Sequence, residues 1–147
     1  MRMPLFGSGY DAIRGVRGLL LSFPVALFAG AVLTDVTYLR TAELQWTNFS
    51  AWLISAALVF GGLVTAWAFV EAVFGWRSRA RLVRLGYLGL WVAAWVLGLV
   101  NAFKHSQDGW SSVGVFGLIL SILCAVLSLI AGFLAFSGAT TLREDAR

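Results

Sequence analysis

Two carboxylates, Asp35 and Glu71, are the residues of this chain best placed to do chemistry, because each interrupts an otherwise apolar run. An ionisable side chain in hydrocarbon is costly, so each is a candidate for holding a proton or a polar ligand, or for pairing with a cation. Asp35 lies about one turn from the far end of the first apolar run, and Glu71 about one turn from the near end of the second. Helical rise separates them by roughly 15 to 25 Å along the membrane normal. A carboxylate pair for acid–base catalysis needs less than about 10 Å. Asp35 shares its level with Thr34, Thr37, Arg40, Asn101, Lys104 and His105, from which a hydrogen-bonded cluster can be built. Glu71 shares its level with Arg14, Arg17 and the arginines between residues 77 and 84, so an ion pair is expected there. The competing reading makes both acids near-interface residues with purely structural partners.

His105 is the only histidine, and it stands beside Lys104 and Asp108 in a polar segment between apolar runs. It is expected to be a solvated loop residue. Haem between helices normally takes two axial ligands, and zinc takes three or four. One histidine and one cysteine supply neither set. Cys124 falls in mid-run, where a lone thiol packs as a small apolar group. No phosphate-binding loop and no serine–histidine–aspartate order stands out, so no catalytic residue and no cofactor is expected. A bound lipid or quinone, the latter in a groove lined by Trp67, Trp91 and Trp95, is the alternative.

These residues must be positioned by four apolar runs, residues 18–39, 51–75, 85–103 and 113–138. A helix needs about 20 apolar residues to cross about 30 Å of hydrocarbon, and each run is long enough. In a chain of 147 residues, 60% of them hydrophobic and 12% charged, little is left outside the membrane. The connecting segments are too short to fold alone. The expected fold is therefore all-α: a single transmembrane domain of four helices in a bundle. Arg2, Arg14, Arg17, Arg77, Arg79, Arg81, Arg84, Arg143 and Arg147 lie on one side of the runs, and only Arg40 and Lys104 on the other. This asymmetry predicts both termini in the cytoplasm. It also explains the net charge of +4 without nucleic acid as a partner. Ala29-Gly30-Ala31 has the small residues of a signal-peptide cleavage site, but the run continues to Leu39, so an uncleaved span is expected.

Within the runs, packing signals are legible. The segment from Tyr10 reads either as a short interfacial helix or as a frayed tail. Pro24 crowds the carbonyl of Leu20 and predicts a kink, with Ser22 able to satisfy the freed oxygen. Trp46, Trp52 and Trp76 suit aromatic belts. Ala57 and Gly61 form a small face on the second span. Gly86, Gly89, Ala93 and Gly98 are expected to face other helices, and Trp91 and Trp95 to face lipid or fill a wedge. The fourth run carries the clearest stripe: Ser121, Ala125, Ser128, Gly132 and Ala135 recur on one helix face. Its partner is either the chain's own bundle or another subunit.

The stretch Ser22-Phe23-Pro24-Val25-Ala26-Leu27, with Asp35 eleven residues after the proline, resembles a bacterial four-helix membrane family catalogued as domain of unknown function 2231. Ala51-Trp52-Leu53-Ile54, the acid at Glu71 and the arginine-rich segment that follows extend the likeness. Many members carry histidines where this chain has Ser22, and near Tyr87 and Gly138. Those histidines suggest haem or metal, which does not carry over to a chain lacking them. The resemblance implies the four-helix fold and an association with membrane-bound or periplasmic redox enzymes. The functional expectation is a non-catalytic anchor or accessory subunit in the bacterial inner membrane. Its partners would be lipids and other membrane or periplasmic subunits, or further copies of itself. Proton-coupled or small-ligand carriage through Asp35 or Glu71, or a quinone-binding redox subunit, is the alternative.

Overall fold

The computed structural model describes residues 9–107 and 113–137. Four helices account for nearly all of them: α1 (Gly9–Thr41), α2 (Leu44–Phe74), α3 (Arg81–His105) and α4 (Val115–Phe136). All four are long and apolar enough to cross a membrane. Backbone hydrogen bonds must close within a segment when no water is available, which is why runs of this composition become helices.

Consecutive helices run up and down. Each packs on its two neighbours in a closed ring, α1 on α2, α2 on α3, α3 on α4 and α4 on α1, and no diagonal pair of helix backbones comes into contact. Side chains therefore fill the centre. The buried face of α2 is Thr47, Ser50, Ile54, Ala57, Gly61, Val64, Ala68 and Ala72, stepping by three and four. That of α3 is Tyr87, Trp91, Ala94, Gly98, Asn101 and His105. Leu21, Val64, Ala68, Tyr87, Trp91 and Ala131 form one core cluster; Phe28, Ala31, Ile54, Ala57, Cys124 and Ala125 form the next. Gly98 permits the closest approach in the second: a Cβ there would sit 2.9 Å from Leu58 Cδ2 and 3.1 Å from Phe28 Cζ.

Several local expectations are corrected. The helix around Tyr10 is not separate, because α1 runs unbroken from Gly9 through Pro24 to Thr41. Ser22 Oγ donates to the Leu19 carbonyl at 2.7 Å, not to that of Leu20. The segment between the first two apolar runs is not a loop. Helix α2 starts at Leu44, so Trp46 and the polar Thr47 and Ser50 are already helical. At 31 residues α2 is about 46 Å long and extends beyond the hydrocarbon. Only Ala42 and Glu43 link α1 to α2. Ala42 adopts φ 55°, and its N–H donates to the Tyr38 carbonyl at 2.8 Å, the left-handed cap that glycine usually supplies.

On α3 the small residues are distributed differently from expectation. Gly86, Gly89 and Ala93 are exposed on the outside, and only Gly98 lies in an interface. Tyr87 and Trp91 take the inward positions, because their bulk fills the central space that no diagonal backbone contact closes. Trp91 does not face lipid; it is 1% exposed and fills space between the helices. The stripe on α4 points into the chain's own bundle, with Ser121, Ala125, Ser128 and Gly132 buried. Outside it, Ile119, Ile122, Leu123, Ile130 and Phe133 are exposed, as a lipid-facing surface requires. Asp108, Trp110, Arg2, Arg143 and Arg147 lie outside the described residues.

Candidate functional site

At one end of the bundle, a continuous polar network crosses the core. Helix α1 supplies Asp35, α3 supplies Asn101 and His105 on successive turns of its buried face, and α4 supplies Ser121. Ser121 Oγ donates to Asp35 Oδ2 at 2.5 Å, and Asn101 Nδ2 donates to Ser121 Oγ at 2.8 Å. His105 Nε2 lies 2.9 Å from Asp35 Oδ1, and Nδ1 lies 2.9 Å from the Asn101 carbonyl oxygen. The Asp35 and His105 side chains are fully shielded from solvent. Beside them, the hydroxyls of Thr34 and Ser50 meet at 2.6 Å and tie α1 to α2. Small residues make this closure possible: a Cβ on Gly117 would stand 3.6 Å from His105 Cε1 and 2.9 Å from Val113 Cγ1.

The hydrogen bonds dictate where protons sit. A carbonyl oxygen only accepts, so His105 Nδ1 carries hydrogen. One more proton must then lie between Nε2 and Oδ1, on either the imidazole or the carboxyl group. With it the pair is neutral overall; without it a negative charge would be buried, which low-dielectric surroundings oppose. The arrangement can therefore hold a proton. It is not a nucleophile–base relay. Ser121 donates to the carboxylate, not to the imidazole, so no base is aimed at its hydroxyl. Both histidine nitrogens are engaged, leaving neither free to ligate haem or metal. Among the described residues, no three His, Cys, Asp or Glu side chains come together.

At the arginine-rich end, Arg17 of α1 meets Glu71 of α2, Nη1 to Oε1, at 2.6 Å. Trp67 Nε1 donates to the same oxygen at 2.8 Å. The Arg17 guanidinium also reaches across the bundle to the Tyr87 ring of α3, 5.7 Å from its centroid. These side chains border a small open-sided recess, with room for about one water molecule, lined by Arg17, Leu20, Val64, Trp67, Ala68 and Tyr87. Among the described residues, Arg17 Nη2, Tyr87 Oη and Trp91 Nε1 are buried without a hydrogen-bond partner.

The sequence profile of a predicted membrane protein family, DUF2231, matches residues 17–143. The chain belongs to that family. The matched stretch holds both polar clusters, from Arg17 and Asp35 through Glu71 and Asn101 to His105 and Ser121. No curated protein and no solved structure matches the chain.

In this DUF2231 member, Asp35, Asn101 and His105 come together, and Glu71 stays with the other cluster at the opposite end of the bundle. His105 is not a solvated loop residue. It closes the last turn of α3 and is buried. The signal that places it is helical phase: it lies four residues after Asn101, on the stripe already carrying Tyr87, Trp91, Ala94 and Gly98. Thr37, Arg40 and Lys104 are not members of the network. Thr37 bonds its own helix at the Leu33 carbonyl, and Lys104 bonds Gln107. Ser121 is buried on the small-residue face of α4, and its bond to Asp35 has no local sequence signal. Ser128 donates to its own helix at Ala125, and Ala125 and Gly132 pack without polar contacts. The three tryptophans expected around a groove separate: Trp91 is in the core, Trp95 Nε1 donates to the Leu58 carbonyl at 3.0 Å, and only Trp67 lines the recess. Cys124 is buried, with Sγ 3.7 Å from the Ala94 carbonyl.

Proposed function

We propose that this DUF2231 member is a non-catalytic integral membrane subunit, an anchor or accessory component of a larger complex in the bacterial inner membrane. One observation carries the reading: both intramembrane acids are bonded within the bundle, Asp35 to His105 and Ser121, and Glu71 to Arg17 and Trp67. Groups so engaged hold helices together and are not presented to a reactant. The Arg17 end faces the cytoplasm under the asymmetry of basic residues. A redox enzyme as the host complex rests on family resemblance alone. Carriage through Asp35 and Glu71 draws less support, because the two acids belong to separate clusters.

The test is the mass and composition of the particle released from native membranes by a mild amphipathic polymer. Stoichiometric partner proteins at a mass well above that of the chain are expected. A lone monomer or a homo-oligomer overturns the accessory role.

A further inference from the structure

The turn between α2 and α3 gathers positive charge at the edge of the apolar surface. Arg77, Arg79 and Arg81 fall on alternate residues, and all three are exposed. Short hydrogen bonds fix the turn: the Ser78 N–H donates to the Gly75 carbonyl at 3.0 Å, the Arg81 N–H to the Ser78 carbonyl at 3.1 Å, and the Ala80 N–H to Ser78 Oγ at 3.0 Å. Like charges held this close repel one another unless an anion stands among them. Along the chain no acid occurs from Ala72 to Gln107, and Glu71 is engaged by Arg17 at 2.6 Å. The first turn of α3 has no acidic residue and no side-chain cap, so the positive end of its dipole adds to the same field. Arg84 stands apart, because its guanidinium packs on Gly75 at the end of α2, where a Cβ would overlap it. Apolar side chains flank the turn on both sides. Phe74 and Leu82 are 87% and 75% exposed, and the Arg81 guanidinium lies 5.1 Å over the ring of the exposed Trp76. That is the order in which a chain leaves hydrocarbon: apolar side chains among acyl chains, then an aromatic ring, then cations at the depth of the phosphates.

We propose that this turn binds the headgroup phosphate of an anionic phospholipid, with Arg77, Arg79 and Arg81 as its cations and Phe74, Trp76 and Leu82 against its acyl chains. Guanidinium suits the task, because its planar fork of N–H donors matches two phosphate oxygens at once. A zwitterionic lipid brings the same phosphate with a cation of its own, which the cluster repels, so net negative charge is what the site selects. The site does not depend on the accessory-subunit reading, since it concerns the chain's own side chains.

The full chain, stripped of lipid in mild detergent, is titrated with phosphatidylglycerol and, separately, with phosphatidylcholine, and bound lipid is counted by native mass spectrometry. In detergent, the orientation that arginines impose on a chain in a membrane has no bearing on the result. Phosphatidylglycerol is expected to bind the parent chain more tightly than phosphatidylcholine by about tenfold or more. Arg77→Gln, Arg79→Gln and Arg81→Gln together should weaken phosphatidylglycerol by about tenfold to a hundredfold and leave phosphatidylcholine unchanged. The corresponding Arg→Lys changes keep the charge and should stay within a few-fold of the parent, which separates lost charge from lost fold. Arg40→Gln with Lys104→Gln, at the opposite end of the bundle, should change nothing. Equal affinity of the parent chain for the two lipids, unchanged binding in the three-fold glutamine variant, or an equal loss in the Arg40 and Lys104 variant overturns the proposal and leaves these arginines only to orient the chain.

Discussion

The two ends of the bundle hold the same kind of pair, a carboxylate beside a nitrogen base, in opposite surroundings. Asp35 and His105 are fully enclosed, while Arg17 and Glu71 keep 24% and 32% of their side chains exposed. The difference follows from side-chain size. Around Asp35, the residues at Ala31, Gly117 and Ser121 are small, so helices close over the pair. Around Arg17, the bulky Tyr87 and Trp67 fill the space unevenly and leave a small recess. One pair is thus made into a pin across the bundle, and the other borders an opening. Burial raises both the strength of a satisfied hydrogen bond and the penalty for an unsatisfied one, so the same substitution should read differently at the two ends.

The comparison can be broken most directly at Asp35. Asp35→Ala strands His105 Nε2 and the Ser121 hydroxyl in the core, and equilibrium unfolding in mixed micelles should lose about 3–5 kcal/mol. A loss below about 1 kcal/mol would mean that the enclosed end is no better ordered than the open one. Ser121→Ala should cost less, about 1–3 kcal/mol by the same measurement, because Asp35 retains His105 while Asn101 Nδ2 loses its acceptor. At the open end, Glu71→Gln keeps an oxygen for Arg17 and Trp67 and removes a half-exposed ion pair. Its expected cost is about 1 kcal/mol or less, shrinking further when salt is added. Tyr87→Phe sharpens the contrast most. Deleting a buried hydroxyl that has no partner among the described residues should leave the denaturation midpoint unchanged, or raise stability by up to about 1 kcal/mol. A clear loss there would show that the Tyr87 hydroxyl is engaged within the fold.

How legible this was varies with the residue. Asp35 and Glu71 stand out in sequence because charge is rare in apolar runs. The Arg17–Glu71 pair follows from level alone, since both lie near the arginine-rich end of adjacent antiparallel helices. His105 was misplaced because hydropathy falls at Lys104, and a fall in hydropathy marks the edge of lipid, not the end of a helix. The start of α2 was missed for the same reason: Thr47 and Ser50 are polar, yet both are buried on the face that continues to Ile54 and Ala57. Gly86 and Gly89 show the converse error. Small size marks a possible close approach, but only helix rotation decides whether a partner is there, and on α3 the bulk of Tyr87 and Trp91 sets that rotation.

By itself, the sequence determined the number of membrane helices, their order and the crowding of arginine at one end, because these depend on transfer of side chains between water and hydrocarbon and hence on local composition. Only the tertiary structure decided that Asp35, His105, Ser121 and Asn101 form one network, and that Trp67 and Tyr87 join the Arg17–Glu71 pair at the other end. Those groupings join residues up to 86 positions apart in the chain. They depend on the rotation and depth of each helix against its neighbours, which are set by packing of whole faces and not by any short stretch of residues.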